Sequence, residues 1–279
     1  MATAVLTPAG PLHAVPALKL WHLLSLDAPS VAALWTCFLA HEVFQKQTAA
    51  VPAALALAVW LLYAGDRVYD TIRGEDRQER HRFLFQHRGS LYVAAAVVAA
   101  ALAGLMRWLP PHLRTAWLLL ALPLGLYAAA VHLLQVRVPK EPLVAIFFGL
   151  ATTLPLFASR SAPWGTLAPI AVGFGLVCWL NCAAIARWEA TLAEADGCTR
   201  WLGRYFPSAS PSLVLLTAPL LLLPHTVGIG LSLMASAACL SAVDRLRLRF
   251  ESTTLRALAD LSLLTPLVVW PLLASLKMR

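Results

Sequence analysis

Uncharged apolar runs recur along this chain at lengths that cross a bilayer, and no other feature constrains its fold as tightly. Gln47–Gly65, Gly89–Met106, Thr115–Val136, Pro142–Ser159 and Ser161–Ala186 hold no Asp, Glu, Lys or Arg. Each is close to the roughly 20 residues that an α-helix needs to span the hydrocarbon core. Tyr205–Val243 is too long for one such helix, and Leu223-Pro224-His225-Thr226 is a natural break into two, because proline interrupts the helical ladder. Leu261–Leu276 closes the chain, and a short first run at Ala28–His41 extends backwards past Asp27 to about Leu18. In hydrocarbon every backbone polar group must be satisfied within the segment, and barrel strands would alternate in polarity instead. The expected fold class is all-α, a polytopic membrane bundle of about nine transmembrane helices. It would form a single membrane domain over residues 1–279, with a short N-terminal segment at 1–16 and polar loops at about 66–88 and 187–204.

Charge supports this class. Charged residues make up 13% of the chain, against about 25% in soluble domains. With the N-terminus placed on one side, the nine-span frame puts all the lysines and arginines on that side except Lys46, Arg107, Arg114, Arg160, Lys277 and Arg279. The positive-inside rule then predicts that the N-terminus and the polar loops are cytoplasmic. Anionic lipid accounts for the net charge of +8, so no nucleic-acid partner is expected. Met1–Pro16 carries no basic residue ahead of its apolar ones, unlike a cleaved signal peptide. The five cysteines are scattered and read as small buried hydrophobes. His41-Glu42 is no zinc motif, since Gln45 stands where the second histidine is required.

The remaining charge gathers in two clusters, after the second and sixth runs. Asp66 to Arg88 interleaves Asp66, Asp70, Glu75, Asp76 and Glu79 with six arginines; Asn181 to Arg204 contains Arg187, Glu189, Glu194, Asp196, Arg200 and Arg204. Asp66 and Asp70 are four apart, which puts both on one helix face. Such clusters suit diphosphate chemistry. Magnesium bridges one or two carboxylates to substrate phosphates, and arginine neutralises phosphate oxygens bidentately. The simpler alternatives are local ion pairs: Asp66 and Asp70 with Arg67, Arg73 or Arg77, Glu189 with Arg187, Asp196 with Arg200, and Lys140 with Glu141. Asp244 and Asp260 flank the basic stretch Arg245–Arg256 and read as loop residues.

Leu62-Tyr63-Ala64-Gly65-Asp66-Arg67-Val68-Tyr69-Asp70 resembles the first aspartate-rich motif of the UbiA superfamily of intramembrane prenyltransferases, N-D-x-x-D-x-x-x-D. Asp66, Arg67, Tyr69 and Asp70 match that motif, while Leu62 and Tyr63 stand at its Asn-Asp pair. The nine-span layout is similar too, as are the acidic motifs after spans two and six and the basic segment with Arg137, Lys140 and Gly149. The resemblance implies prenyl transfer from an isoprenoid diphosphate to a lipophilic, aromatic or quinone-like acceptor, with Mg2+ as cofactor. It implies that Asp66, Asp70, Asn181 and Glu189 are the catalytic metal ligands, with Cys182 the alternative to Asn181 at the first position of the second motif. Arg67, Arg73, Arg77, Arg137 and Lys140 would then bind the substrate. The departures at Leu62 and Tyr63 leave open a catalytically degenerate, isoprenoid-binding descendant. Oligomeric state is not encoded in these motifs.

Overall fold

The computed structural model describes residues 16–72, 87–132, 139–189, 193, 195–223 and 225–277. Among them the chain is helical throughout, with no strand. The helices are α1 (Pro16–Leu23), α2 (Asp27–Glu42), α3 (Ala50–Ile72), α4 (Arg88–Met106), α5 (Pro111–His132), α6 (Lys140–Ala158) and α7 (Trp164–Trp188). Then come α8 (Gly197–Arg204), α9 (Phe206–Thr217), α10 (Val227–Leu246), α11 (Ser252–Leu261) and α12 (Pro266–Lys277).

Among the described residues, six helical segments are long and apolar enough to cross a membrane, or seven if the bent pair α1–α2 counts as one. This architecture is compatible with an integral multi-pass protein. Ala50–Asp66 and Phe206–Leu221 are shorter apolar helices that do not reach that length. The first expected span is not straight: α1 and α2 meet at 92°. The cause is local. Leu26 N–H donates to the Trp21 carbonyl and Ser25 N–H to that of His22, while Ser25 adopts a left-handed φ of 57°. This is the Schellman ending of a helix, which satisfies the last carbonyls but turns the chain aside. Phe44 at the end of α2 and Arg160 at the end of α6 repeat the same pattern, with φ of 54° and 51°.

The core forms where α2, α6, α7 and α10 meet. Trp35 and Phe38 of α2, Phe174 of α7 and Leu233 of α10 are fully buried. The Trp35 ring packs on Phe174 at 4.6 Å between centroids, and its N–H donates to the Leu263 carbonyl at 2.7 Å. Helix α4, by contrast, buries none of its residues. The expected burial of the cysteines is only partly met: Cys178 is buried, Cys37 and Cys182 are intermediate, and Cys198 and Cys239 are exposed.

Helices α6 and α7 approach closely at Gly149 and Gly175. A Cβ on Gly149 would lie 3.2 Å from the Gly175 Cα, which is backbone and cannot move aside as a side-chain tip can. Gly149→Leu is therefore expected to force the helices apart at a cost of about 1–3 kcal/mol or more. A lowered thermal midpoint in detergent checks this, with Gly104→Leu, where a Cβ meets nothing within 4 Å, as the neutral control.

Candidate functional site

The described polar side chains of both clusters lie at one end of the bundle. That end is made by the C-terminal turns of α3, α7 and α10, the N-terminal turns of α2 and α6, and the short helices α8 and α11. They form three groups rather than one.

The first is a rim. Helix α3 continues through Asp70, so Asp66 and Asp70 share one helix as the spacing predicts. Asp66 accepts hydrogen bonds from Lys140 Nζ at 3.1 and 3.3 Å, and both side chains are more than a third exposed. Lys140 opens α6, where a cation opposes the helix dipole; the Asp66 carboxylate offsets that. Lys140 thus pairs across helices and not with Glu141, as the local alternative had it. Exposed pairs of this kind contribute roughly 0–1 kcal/mol, so a ligand can compete for either member. Asp196 caps α8, its Oδ1 accepting from the N–H groups of Cys198 at 2.8 Å and Thr199 at 3.1 Å. Its Oδ2 is buried without a hydrogen-bond partner, and the Glu141 carboxyl lies beside it. The expected Asp196–Arg200 pair does not form: Arg200 donates to the Ala195 carbonyl instead.

The second group closes α7. Glu189 is its C-cap, and both carboxylate oxygens accept from Arg256 of α11, with Ser252 Oγ adding a third bond at 3.1 Å. Side-chain exposure is 16% for Arg256 and 8% for Glu189. Arg187, the partner expected for Glu189, instead donates from Nε to Asp244 Oδ1 at 3.1 Å and from Nη1 to the Gly203 carbonyl at 2.9 Å. The Trp188 indole N–H also reaches Asp244, at 2.8 Å. Asp244 is a buried structural acid, not the loop residue that its place in the sequence suggested.

The third group is buried at His22, Asp27 and Asn181 and half-buried at Asp260, and sequence reasoning proposed only Asn181 of it as a ligand. Asn181 Nδ2 donates to Asp260 Oδ1 at 2.9 Å. His22 Nδ1 lies 2.6 Å from Asp27 Oδ2, and both residues are about 97% buried by their 3% and 2% exposure. One ligand atom from each of His22, Asp27 and Asp260 falls within 4.8 Å of the other two. Tyr63, at a position where the resemblance expected an acid, stands beside Asp27 and Asp260. For the other three members of the group, the available signal was Asp27, a polar residue just ahead of an apolar run.

Among the described residues, the expected metal ligands Asp66, Asn181 and Glu189 each make a separate contact. No described contact joins Asn181 or Glu189 to Asp66; Asn181 goes to Asp260 and Glu189 to Arg256. The side chains of Arg67 and Asp70, and all of Arg73, Arg77, Arg137 and Glu194, lie outside the described residues. As a seat for magnesium, Glu189 does not fit, because both its oxygens are already held by a guanidinium. Asp66 fits, because its carboxylate is reachable and magnesium on a phosphate substrate needs only one or two protein acids. No protein-family model, curated protein or solved structure matches this chain.

Arg256→Ala leaves the Glu189 carboxylate buried and uncompensated, and is expected to cost about 3–5 kcal/mol. Replacing both residues, Arg256→Met with Glu189→Leu, recovers most of that loss; thermal unfolding of the two variants checks it. Partial burial works against the charge on Asp196, but the hydrogen bonds from Thr199 and Cys198 outweigh it and hold the carboxyl below the usual carboxylate range. Its capping contribution of about 1 kcal/mol is therefore present above the unfolded value of about 3.9 and fades as pH falls through the lower folded value. Unfolding of wild type and Asp196→Ala compared across pH 2.5–7 reads this as a gap that closes at the acid end.

Proposed function

We propose that this protein is a UbiA-like intramembrane prenyltransferase that moves a prenyl group from an isoprenoid diphosphate to an aromatic or quinone-like acceptor. One observation carries the reading. The reachable Asp66–Lys140 pair stands at the polar end of an apolar helix bundle. It offers opposite charges where a diphosphate and its cation would bind.

In this reading the two shorter apolar helices and the bent pair complete a nine-span bundle, with the N-terminus and polar loops on the cytoplasmic side. Asp66, with Asp70, would hold Mg2+, which neutralises diphosphate charge when bound. Lys140 releases Asp66 and turns to the phosphate oxygens, where an ammonium stabilises the charge that gathers on the leaving group. By the resemblance, Arg67, Arg73, Arg77 and Arg137 would add guanidinium charge for the diphosphate. The bond between the allylic carbon and the diphosphate oxygen breaks, its electron pair leaving with the diphosphate. The acceptor supplies the pair for the new bond and gives up a proton. Apolar helix walls keep water from the electron-deficient carbon.

A specific observation favours a second reading, an isoprenoid-binding protein that has lost catalysis. Glu189 and Asn181 are engaged within the protein at positions where the resemblance expects metal ligands. The test is prenyl transfer by purified protein in detergent with Mg2+ and an allylic diphosphate. Asp66→Ala is expected to lower turnover by about 10²-fold or more, and Lys140→Ala by a smaller factor. Wild-type turnover that survives Asp66→Ala unchanged rejects the site. Mg2+-dependent diphosphate binding without product selects the second reading.

A further inference from the structure

The group formed by His22, Asp27, Asn181 and Asp260, buried at the first three and half-buried at Asp260, does not belong to the rim. Its members come from four helices: the last turn of α1, the first turn of α2, the middle of α7 and the end of α11. His22 Nδ1 and Asp27 Oδ2 are 2.6 Å apart, and the imidazole, Asp27 and Asp260 ligand atoms all lie within 4.8 Å of one another. The Asp27 carboxyl also faces that of Asp260 within hydrogen-bonding reach. Two carboxyl groups placed side by side and largely out of water carry charge together only with cationic compensation, supplied by a protonated His22 beside Asp27 or by a bound ion. Arg256 attracts Asp260 but spends its hydrogen bonds on Glu189.

Asn181 gives an independent sign. It is 6% exposed, its amide N–H is fixed on Asp260, and its Oδ1 is buried with no hydrogen-bond partner. Buried polar atoms without partners are rare and mark a missing ligand, ion or water. The unpaired oxygen belongs to an amide already held against the carboxylate pair.

We propose that His22, Asp27, Asp260 and Asn181 form a binding site for one divalent transition-metal ion of the Zn2+ or Mn2+ class. Neutral imidazole with two carboxylates balances a charge of +2, which a buried site requires. The mixed nitrogen and oxygen donors suit these ions, whereas an all-oxygen set would favour Mg2+ or Ca2+. Small side-chain adjustments bring donors at this spacing to the usual bond lengths of about 2.0–2.2 Å. The ion would clamp the corner between α1 and α2 onto α7 and α11. The site is independent of the proposed prenyl transfer.

Purified full-length protein in detergent is stripped with chelator, incubated with Zn2+ or Mn2+ alone, desalted and assayed for metal content. One equivalent per chain is expected for wild type and for Asp66→Ala, and its loss in Asp27→Asn and Asp260→Asn. Ordered Mn2+ binding also changes the electron paramagnetic resonance spectrum from that of the aqueous ion. Should the buried variants fail to fold, the wild-type stoichiometry and the Asp66→Ala comparison still decide. Absence of stoichiometric metal in wild type overturns the proposal and leaves a proton shared between Asp27 and Asp260. Loss of the metal in Asp66→Ala overturns it as well, since that would put the ion at the rim.

Discussion

Charge taken into an apolar bundle has to be met by charge or by hydrogen bonds, and the polar end of this protein is arranged around that requirement. The Glu189 carboxylate, carried at the end of α7, is met by Arg256 from α11 and by Ser252. Asp244 is met by Arg187, Arg247 and the Trp188 indole. The contacts from Arg256, Ser252, Arg187 and Trp188 tie a helix end to a distant segment, whereas that from Arg247 is local. Breaking one would strand a charge that water cannot reach, a penalty larger than the net stability that the intact pair supplies.

The rim is of a different kind. Asp66 and Lys140 meet where solvent competes for both, so their attraction is weak and exchangeable. A pair held loosely at the end of two rigid helices is suited to receiving a charged ligand, whereas the Glu189–Arg256 pair is suited to staying shut. The two lie at the same end of the bundle, and their difference in exposure separates a candidate site from its scaffold.

The helical class was legible because hydrocarbon permits few alternatives and the uncharged runs are long. The corner at Ser25 was not, because the left-handed position that ends α1 is filled by serine, where a glycine would have announced the turn; Phe44 and Arg160 conceal two more such endings. Helix α3 carrying Asp66 and Asp70 on one run was readable from the i,i+4 spacing. The partners of Glu189 and Asn181 were not: Arg256 and Asp260 are 67 and 79 residues away. Local pairings such as Glu189 with Arg187 are what spacing alone can offer, and tertiary packing replaced them. Asp260 looked like a loop acid because it follows a basic stretch, although the chain there is helical and turned inward.

Helix α4 buries none of its residues and packs mainly along α3. Its side chains Tyr92, Val93 and Val97 lie more than half exposed. In a bilayer the acyl chains themselves would complete its packing, so lipid acts as a structural neighbour on that flank. The length and saturation of those chains would then set how firmly α3 is supported from behind, and with it how steadily Asp66 is presented at the rim. Membrane composition would thereby be a variable of the rim's geometry without any lipid touching Asp66.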